Sequence, residues 1–112
     1  MSNRVLKINS LLKEELSKII SREIDFPEGV LATITRIETS ANLFEAKVYV
    51  SLLGEGQTDK ILEILNRNIY NIQQILNKRL KMRPIPKIIF KREEKTKEAA
   101  RVEELLNKLK KA

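Results

Sequence analysis

Val5, Ile8, Leu12, Leu16 and Ile19 recur at steps of three and four near the start of the chain. That spacing places one apolar stripe along an α-helix, with Ser2 or Asn3 as the candidate N-cap. The helix is expected to stop near Asp25, because Phe26 precedes Pro27 and a residue before proline is pushed out of the helical region. Gly29 then releases the turn.

From Val30 the period changes. "VLATITRIETS" is rich in Val, Ile and Thr and reads as a strand. Its apolar phase slips between Ile34 and Ile37, an odd number of positions apart, and a β-bulge would reconcile the two. "SAN" at 40–42 makes a turn into a second strand, "LFEAKVYVSLL" at 43–53. Alternation there assigns Phe44, Ala46, Val48, Val50 and Leu52 to one face, and Glu45, Lys47, Tyr49 and Ser51 to the other. The short connection predicts an antiparallel pair.

"GEGQTD" at 54–59 closes the strand, with Thr58 as the N-cap of a second helical segment. Ile61, Leu65, Ile69, Ile72, Leu76 and Leu80 then make a long stripe. It fits one long helix or two in a kinked series. Asn66 and Asn68 are weak helix formers, so a break belongs near them. Pro84 and Pro86 end the segment, and "IPKIIFKR" reads as a third strand. Val102, Leu105, Leu106 and Leu109 mark a last amphipathic helix, supported by Glu104 and Lys108 one turn apart. The order is α-β-β-α-α-β-α, an α+β chain. Residues 1–94 are expected to form the domain, and residues 95–112 a helix that belongs to it or extends from it as a tail.

The 112 residues suffice for one modest core. Apolar content of 42% with 33% charged residues fits a soluble globular protein. The N-terminal stretch lacks the apolar region of a signal peptide, and no apolar run is long enough to cross a bilayer. The expected address is the cytoplasm, with no membrane partner. Cys and His are both absent. That removes disulfides, thiolate chemistry, the commonest zinc ligands and the usual general base. Glu14/Glu15, Glu93/Glu94 and Glu103/Glu104 are adjacent pairs that point in different directions on a helix and read as solvated faces. The Gly-x-Gly of "GEGQTD" lacks the Gly-Lys-Ser/Thr of a phosphate loop. No catalytic site, metal site or cofactor is expected.

The net charge is +7, unevenly spread. Residues 1–56 hold seven Lys/Arg and eight Asp/Glu, whereas residues 57–112 hold fifteen and seven. From Ile64 to Arg92 there is no acidic residue. A localised basic surplus points to an anionic partner, nucleic acid above all; the plainer reading is a solubilising surface. "KRLKMRPIPKIIF", from Lys78 to Phe90, concentrates the charge where a helix hands over to a strand. If 70–82 is helical, Lys78 and Lys81 share one side and Arg79 and Arg83 a neighbouring side. Each phosphate contact from such residues gains from counterion release, and arginine adds a two-bond fork. The competing reading has some of them paired with acidic faces of the first or last helix. Tyr49 and Tyr70 are the only tyrosines and there is no Trp, too few aromatics for a base-stacking sheet. Tyr70 stacks on a base if exposed; burial in the core is the alternative.

"DFPEGVLATITRIETSANLFEAKVYVSLLG" resembles the first half of ribosome-binding factor A, whose Ala-Lys-Val-Tyr-Val-Ser element appears as Ala46–Ser51. "LNKRLKMRPIPKIIF" resembles the family's Leu-Arg-x-x-Pro-x-Leu-x-Phe region, with Arg83, Pro86 and Phe90 in place. Arg4-Val5 near the start of the first helix is also similar. The resemblance implies a type II KH-like fold, a three-stranded sheet with helices on one face. It implies a non-enzymatic assembly factor that binds the immature small (30S) ribosomal subunit through its 16S rRNA, assists maturation of the rRNA 5′ end and serves growth in the cold. A generic KH-like single-stranded nucleic-acid module is the alternative. The family's small-x-Gly kink between the central helices is replaced here by Asn68-Ile69-Tyr70, and Phe26 is inserted between Asp25 and Pro27. The implied RNA-contacting residues are Lys78, Arg79, Lys81, Arg83 and Lys87, with Asn68, Tyr70 and Asn71; Arg4, Lys7, Arg36 and Lys47 are weaker candidates. A monomer is expected, because the last helix is the one spare amphipathic element.

Overall fold

The computed structural model describes residues 3–53 and 58–93. They form α1 (Asn3–Glu23), β1 (Leu31–Thr39), β2 (Glu45–Leu53), α2 (Thr58–Arg67), α3 (Ile69–Arg79) and β3 (Lys87–Arg92). The helix expected over 95–112 lies outside the described residues, as do Ser2 and most of the "GEGQTD" turn. Among the described residues no helix is long and apolar enough to cross a membrane.

The sheet order is β1-β2-β3, with β1 antiparallel and β3 parallel to β2. This is the α+β, type II KH-like arrangement. Helix α1 packs on β1 and on α3, while α2 and α3 cover β3. The stripe read from the sequence is the buried one: Ile8, Leu12, Leu16 and Ile19 of α1 meet Ala46, Val48, Val50, Ile72, Leu76 and Ile88 in one core. Burial of each large side chain contributes on the order of 1.5–3 kcal/mol. The odd spacing of Ile34 and Ile37 is resolved by a bulge. Pairing runs Ile34↔Val50, then Arg36↔Tyr49 and Ile37↔Val48, so both isoleucines face the core. The extra residue, Thr35, donates its hydroxyl to the Tyr49 carbonyl at 3.2 Å.

The turn before β2 corrects one expectation. Leu43 adopts φ +63° and is itself buried. Asn42 Oδ1 holds the turn by accepting from the Ser40 hydroxyl at 2.7 Å and from the Phe44 N–H at 3.1 Å. Leu43 thereby takes the core place, the strand starts only at Glu45, and Phe44 is left 70% exposed instead of joining Val48 and Val50.

The long stripe is two helices. Asn68 sits between them at φ −97°, ψ 4°. Its side-chain amide donates to the Ile64 carbonyl at 2.8 Å, and its own carbonyl accepts from the Ile72 N–H at 2.9 Å. The side-chain amide shares the Ile64 carbonyl with Asn68's own N–H, a local side-chain-to-backbone bond at the junction of α2 and α3. At the far end α3 stops at Arg79, because Leu80 is extended (φ −96°, ψ 138°). Lys81 and Arg83 therefore lie on the irregular connection to β3 and not on helix faces.

Candidate nucleic-acid interface

The sequence candidates separate into three groups. The first is a stripe along α3. With Ile72 and Leu76 buried, helical geometry brings Tyr70, Asn71, Gln74 and Lys78 to the solvent side. Tyr70 is 75% exposed, which settles its alternative in favour of accessibility. Lys78 and, just past the helix end, Lys81 are exposed, and no acidic residue pairs with either among the described residues. Asn68 is different: its amide is committed to the Ile64 carbonyl, so its role is to shape the break. Arg79 also leaves the group. Its Nε donates to the Glu15 carboxylate at 2.7 Å, tying α3 to α1, as the ion-pair reading allowed.

The second group lies where α1 begins. Arg4, Lys7, Ile8, Leu11, Met82 and Arg83 line a shallow depression of about 250 Å³. The guanidinium of Arg83 is oriented by Nη1, which donates to the carbonyls of Leu80 at 3.1 Å and Met82 at 2.7 Å. Sequence reasoning does not find this grouping as a unit. A signal for it is present all the same: the chain has no acidic residue before Glu14, and the fold lays that acid-free stretch beside the acid-free stretch 64–92.

The third group is on the open face of the sheet. Register and alternation put Lys47, Lys87 and Lys91 there. Arg36 shares the face but is engaged. It lies over the Tyr49 ring, 3.8 Å from its centroid, and pairs with Glu38 and with Glu93 at 3.2 Å. Desolvation pulls its pKa down, but the Glu93 hydrogen bond and the two carboxylate charges outweigh that and hold it above the usual value. Glu38, opposite Lys47, and Glu45, opposite Lys87, give this face a mixed charge.

Residues 84–88 are held by Gln73. Its amide donates to the Pro86 carbonyl at 3.2 Å, and its Oε1 accepts from the Ile88 N–H at 2.8 Å. Since β3 is an edge strand, that bond covers a backbone donor the sheet leaves unpaired. The basic connection 81–87 is thus pinned at Leu80 by burial and at Ile88 by Gln73. No group of three or more potential metal ligands occurs among the described residues.

Among the described residues the arrangement offers cationic surface whose Lys78, Lys81 and Arg83 meet no carboxylate, on a well-anchored support suited to a polyanion. A family model described as ribosome-binding factor A matches residues 4–106. The chain belongs to the ribosome-binding factor A family. A ribosome-binding factor A of Chlorobaculum parvum is 38% identical over 109 residues, covering 95% of this chain and 90% of the relative. One from Halothermothrix orenii is 34% identical over 108 residues, covering 96% and 88%. The crystal structure of ribosome-binding factor A from Thermus thermophilus superposes with a TM-score of 0.68 at 25% identity, over 79% of this chain and 94% of that one. A homology model of the Thermus thermophilus factor, fitted into a cryo-EM map of a 30S complex, gives 0.63 at 25% identity, over 74% and 88%.

Proposed function

We propose that this chain binds the small ribosomal subunit precursor through its 16S rRNA and acts as an assembly factor that assists 5′-end maturation. The observation that carries the reading is the surface, acid-free among the described residues, running from Tyr70 along α3 to Lys78, Lys81 and Arg83, next to Arg4 and Lys7. Cations of this kind bind phosphates and release counterions, and the relative seen in a 30S complex has the same fold. The protein acts as a cytoplasmic monomer, as a binding factor without chemistry of its own, in a role associated with growth in the cold.

Sedimenting a lysate and probing the gradient for the protein tests the reading. The expected result is comigration with small-subunit precursors, abolished as salt is raised. Protein that stays at the top of a low-salt gradient containing abundant precursors would overturn it. Binding to single-stranded RNA without such comigration would favour the generic nucleic-acid module.

A further inference from the structure

The depression at the start of α1 has a composition that phosphate contact alone does not require. Its rim carries Arg4, Lys7 and Arg83, and its floor is Ile8, Leu11 and Met82. Phosphates need N–H groups and water. An apolar floor open to solvent, with Leu11 39% exposed, is useful only to a ligand that brings an apolar face of its own. The opening of about 250 Å³ accommodates a single planar ring system and is small for a helix or a folded loop.

The rim selects an anion. Among the described residues no Asp or Glu lines the depression, and the first turn of α1 holds no acidic residue. The partial positive charge of the helix start is therefore reinforced by Arg4 and Lys7 and not offset. Arg83 spends Nη1 on two backbone carbonyls, which fixes its plane while Nε and Nη2 remain for a ligand. An apolar face flanked by phosphates describes a nucleotide taken out of its stack.

We propose that this depression is a subsite for one unpaired nucleotide of single-stranded RNA. The base lies on the Ile8–Leu11–Met82 floor, and the flanking phosphates are held by Arg4, Lys7 and Arg83. The inference rests on the reading that the partner is rRNA, and it adds that contact here is with an unstacked nucleotide and not with a duplex backbone.

The test uses the full chain with two probes, a uridine hexanucleotide and the same ribose-phosphate backbone lacking all bases. The first should bind at least about five-fold more tightly, on the order of what covering one base face with apolar side chains contributes. That preference should persist in Tyr70→Ala and in Phe44→Ala, which remove the two most exposed aromatic rings among the described residues. It should collapse in Leu11→Ala/Met82→Ala, with the salt dependence unchanged. A readout that needs no variant is the Met82 methyl signal, one of two methionine methyls in the chain. Ring current should move it with the hexanucleotide and leave it in place with the abasic backbone. Equal affinity for the two probes, or a Met82 methyl that ignores the base, overturns the proposal. So does tighter binding to phosphatidylglycerol vesicles or an acidic peptide that depends on Leu11 and Met82. Failure of the base preference with intact precursor comigration would remove this subsite alone. A base preference without comigration would remove the ribosomal assignment and keep the subsite.

Discussion

Arg79 Nε donates to the Glu15 carboxylate at 2.7 Å, joining the last residue of α3 to the middle of α1. Glu15 is the less accessible partner, with 16% of its side chain exposed against 34% for Arg79. The pair welds two helices, so Arg79 belongs to the scaffold even though it sits inside the most basic run of the sequence. Arg79→Ala should lower stability by about 1 kcal/mol, a modest figure because solvent screens the pair. It should change RNA affinity by less than about two-fold. Urea unfolding gives the first quantity and a binding titration the second. A drop in affinity from Arg79→Ala as large as that from Lys81→Ala would show that the ion pair opens for RNA.

Gln73 is the corresponding tie between α3 and β3. Gln73→Ala removes three hydrogen bonds, to the Asn77 Oδ1, to the Pro86 carbonyl and from the Ile88 N–H, and leaves that N–H on an exposed edge. The expected cost is about 1–2 kcal/mol, with faster amide hydrogen exchange at Ile88 than at its neighbour Ile89. Unchanged exchange at Ile88 would mean that solvent or another group replaces Gln73.

Asn68 sets two tendencies against each other. Alanine is the better helix former by roughly half a kcal/mol, so propensity alone predicts that Asn68→Ala stabilises. The amide bond to the Ile64 carbonyl is worth about 1 kcal/mol, so the break predicts the opposite. A net decrease in stability is expected, read from thermal melts. A higher melting temperature would mean that α2 and α3 tolerate fusion into one helix.

Periodicity carries most of the architecture, because it reports which side of each element avoids water. It identifies the stripes of α1, α2 and α3, the phase slip at Ile34/Ile37 and the third strand. It fails at Phe44, since a left-handed Leu43 is a turn decision that alternation does not encode. Charge spacing fails in a similar way around Lys78–Arg83. Whether a cation faces solvent depends on where the helix ends and on which carboxylate lies across the interface. Leu80 leaving the helix and Glu15 meeting Arg79 are both tertiary facts. The depression at Arg4, Lys7 and Arg83 joins stretches far apart in the chain, which no local pattern can pair.

Val48 and Lys47 test the phase of β2 directly. Val48 is fully buried and Lys47 exposed. Val48→Asp places a carboxylate in the core without a partner, at a cost of several kcal/mol, comparable to the whole stability of a small domain. Disappearance of the cooperative melt is expected for Val48→Asp and an ordinary melt for Lys47→Ala. Similar melting temperatures for the two would contradict the register Val48↔Ile37.

The separation of the cations into a helix-side surface and a sheet face makes possible a comparison that charge spacing alone does not offer. Lys78, Lys81 and Arg83 occupy acid-free surface, whereas Lys47, Lys87 and Lys91 share theirs with Glu38, Glu45 and Glu93. Replacing either trio with alanine removes the same formal charge, and all six side chains are exposed, so both variants should keep the native circular dichroism spectrum. The phosphate contacts should be unequal. The helix-side variant should bind small-subunit particles at least about ten-fold more weakly at physiological salt, and its plot of log affinity against log salt should flatten by on the order of 0.7–0.9 for each phosphate no longer neutralised. The sheet-face variant should stay within about three-fold, because carboxylates on that face repel the backbone its lysines attract. If the two variants fall equally in affinity and slope, binding follows net charge and the acid-free surface has no special role. If only the sheet-face variant is impaired, rRNA docks on the open face of the sheet, and Arg36 over Tyr49 becomes the next position to substitute.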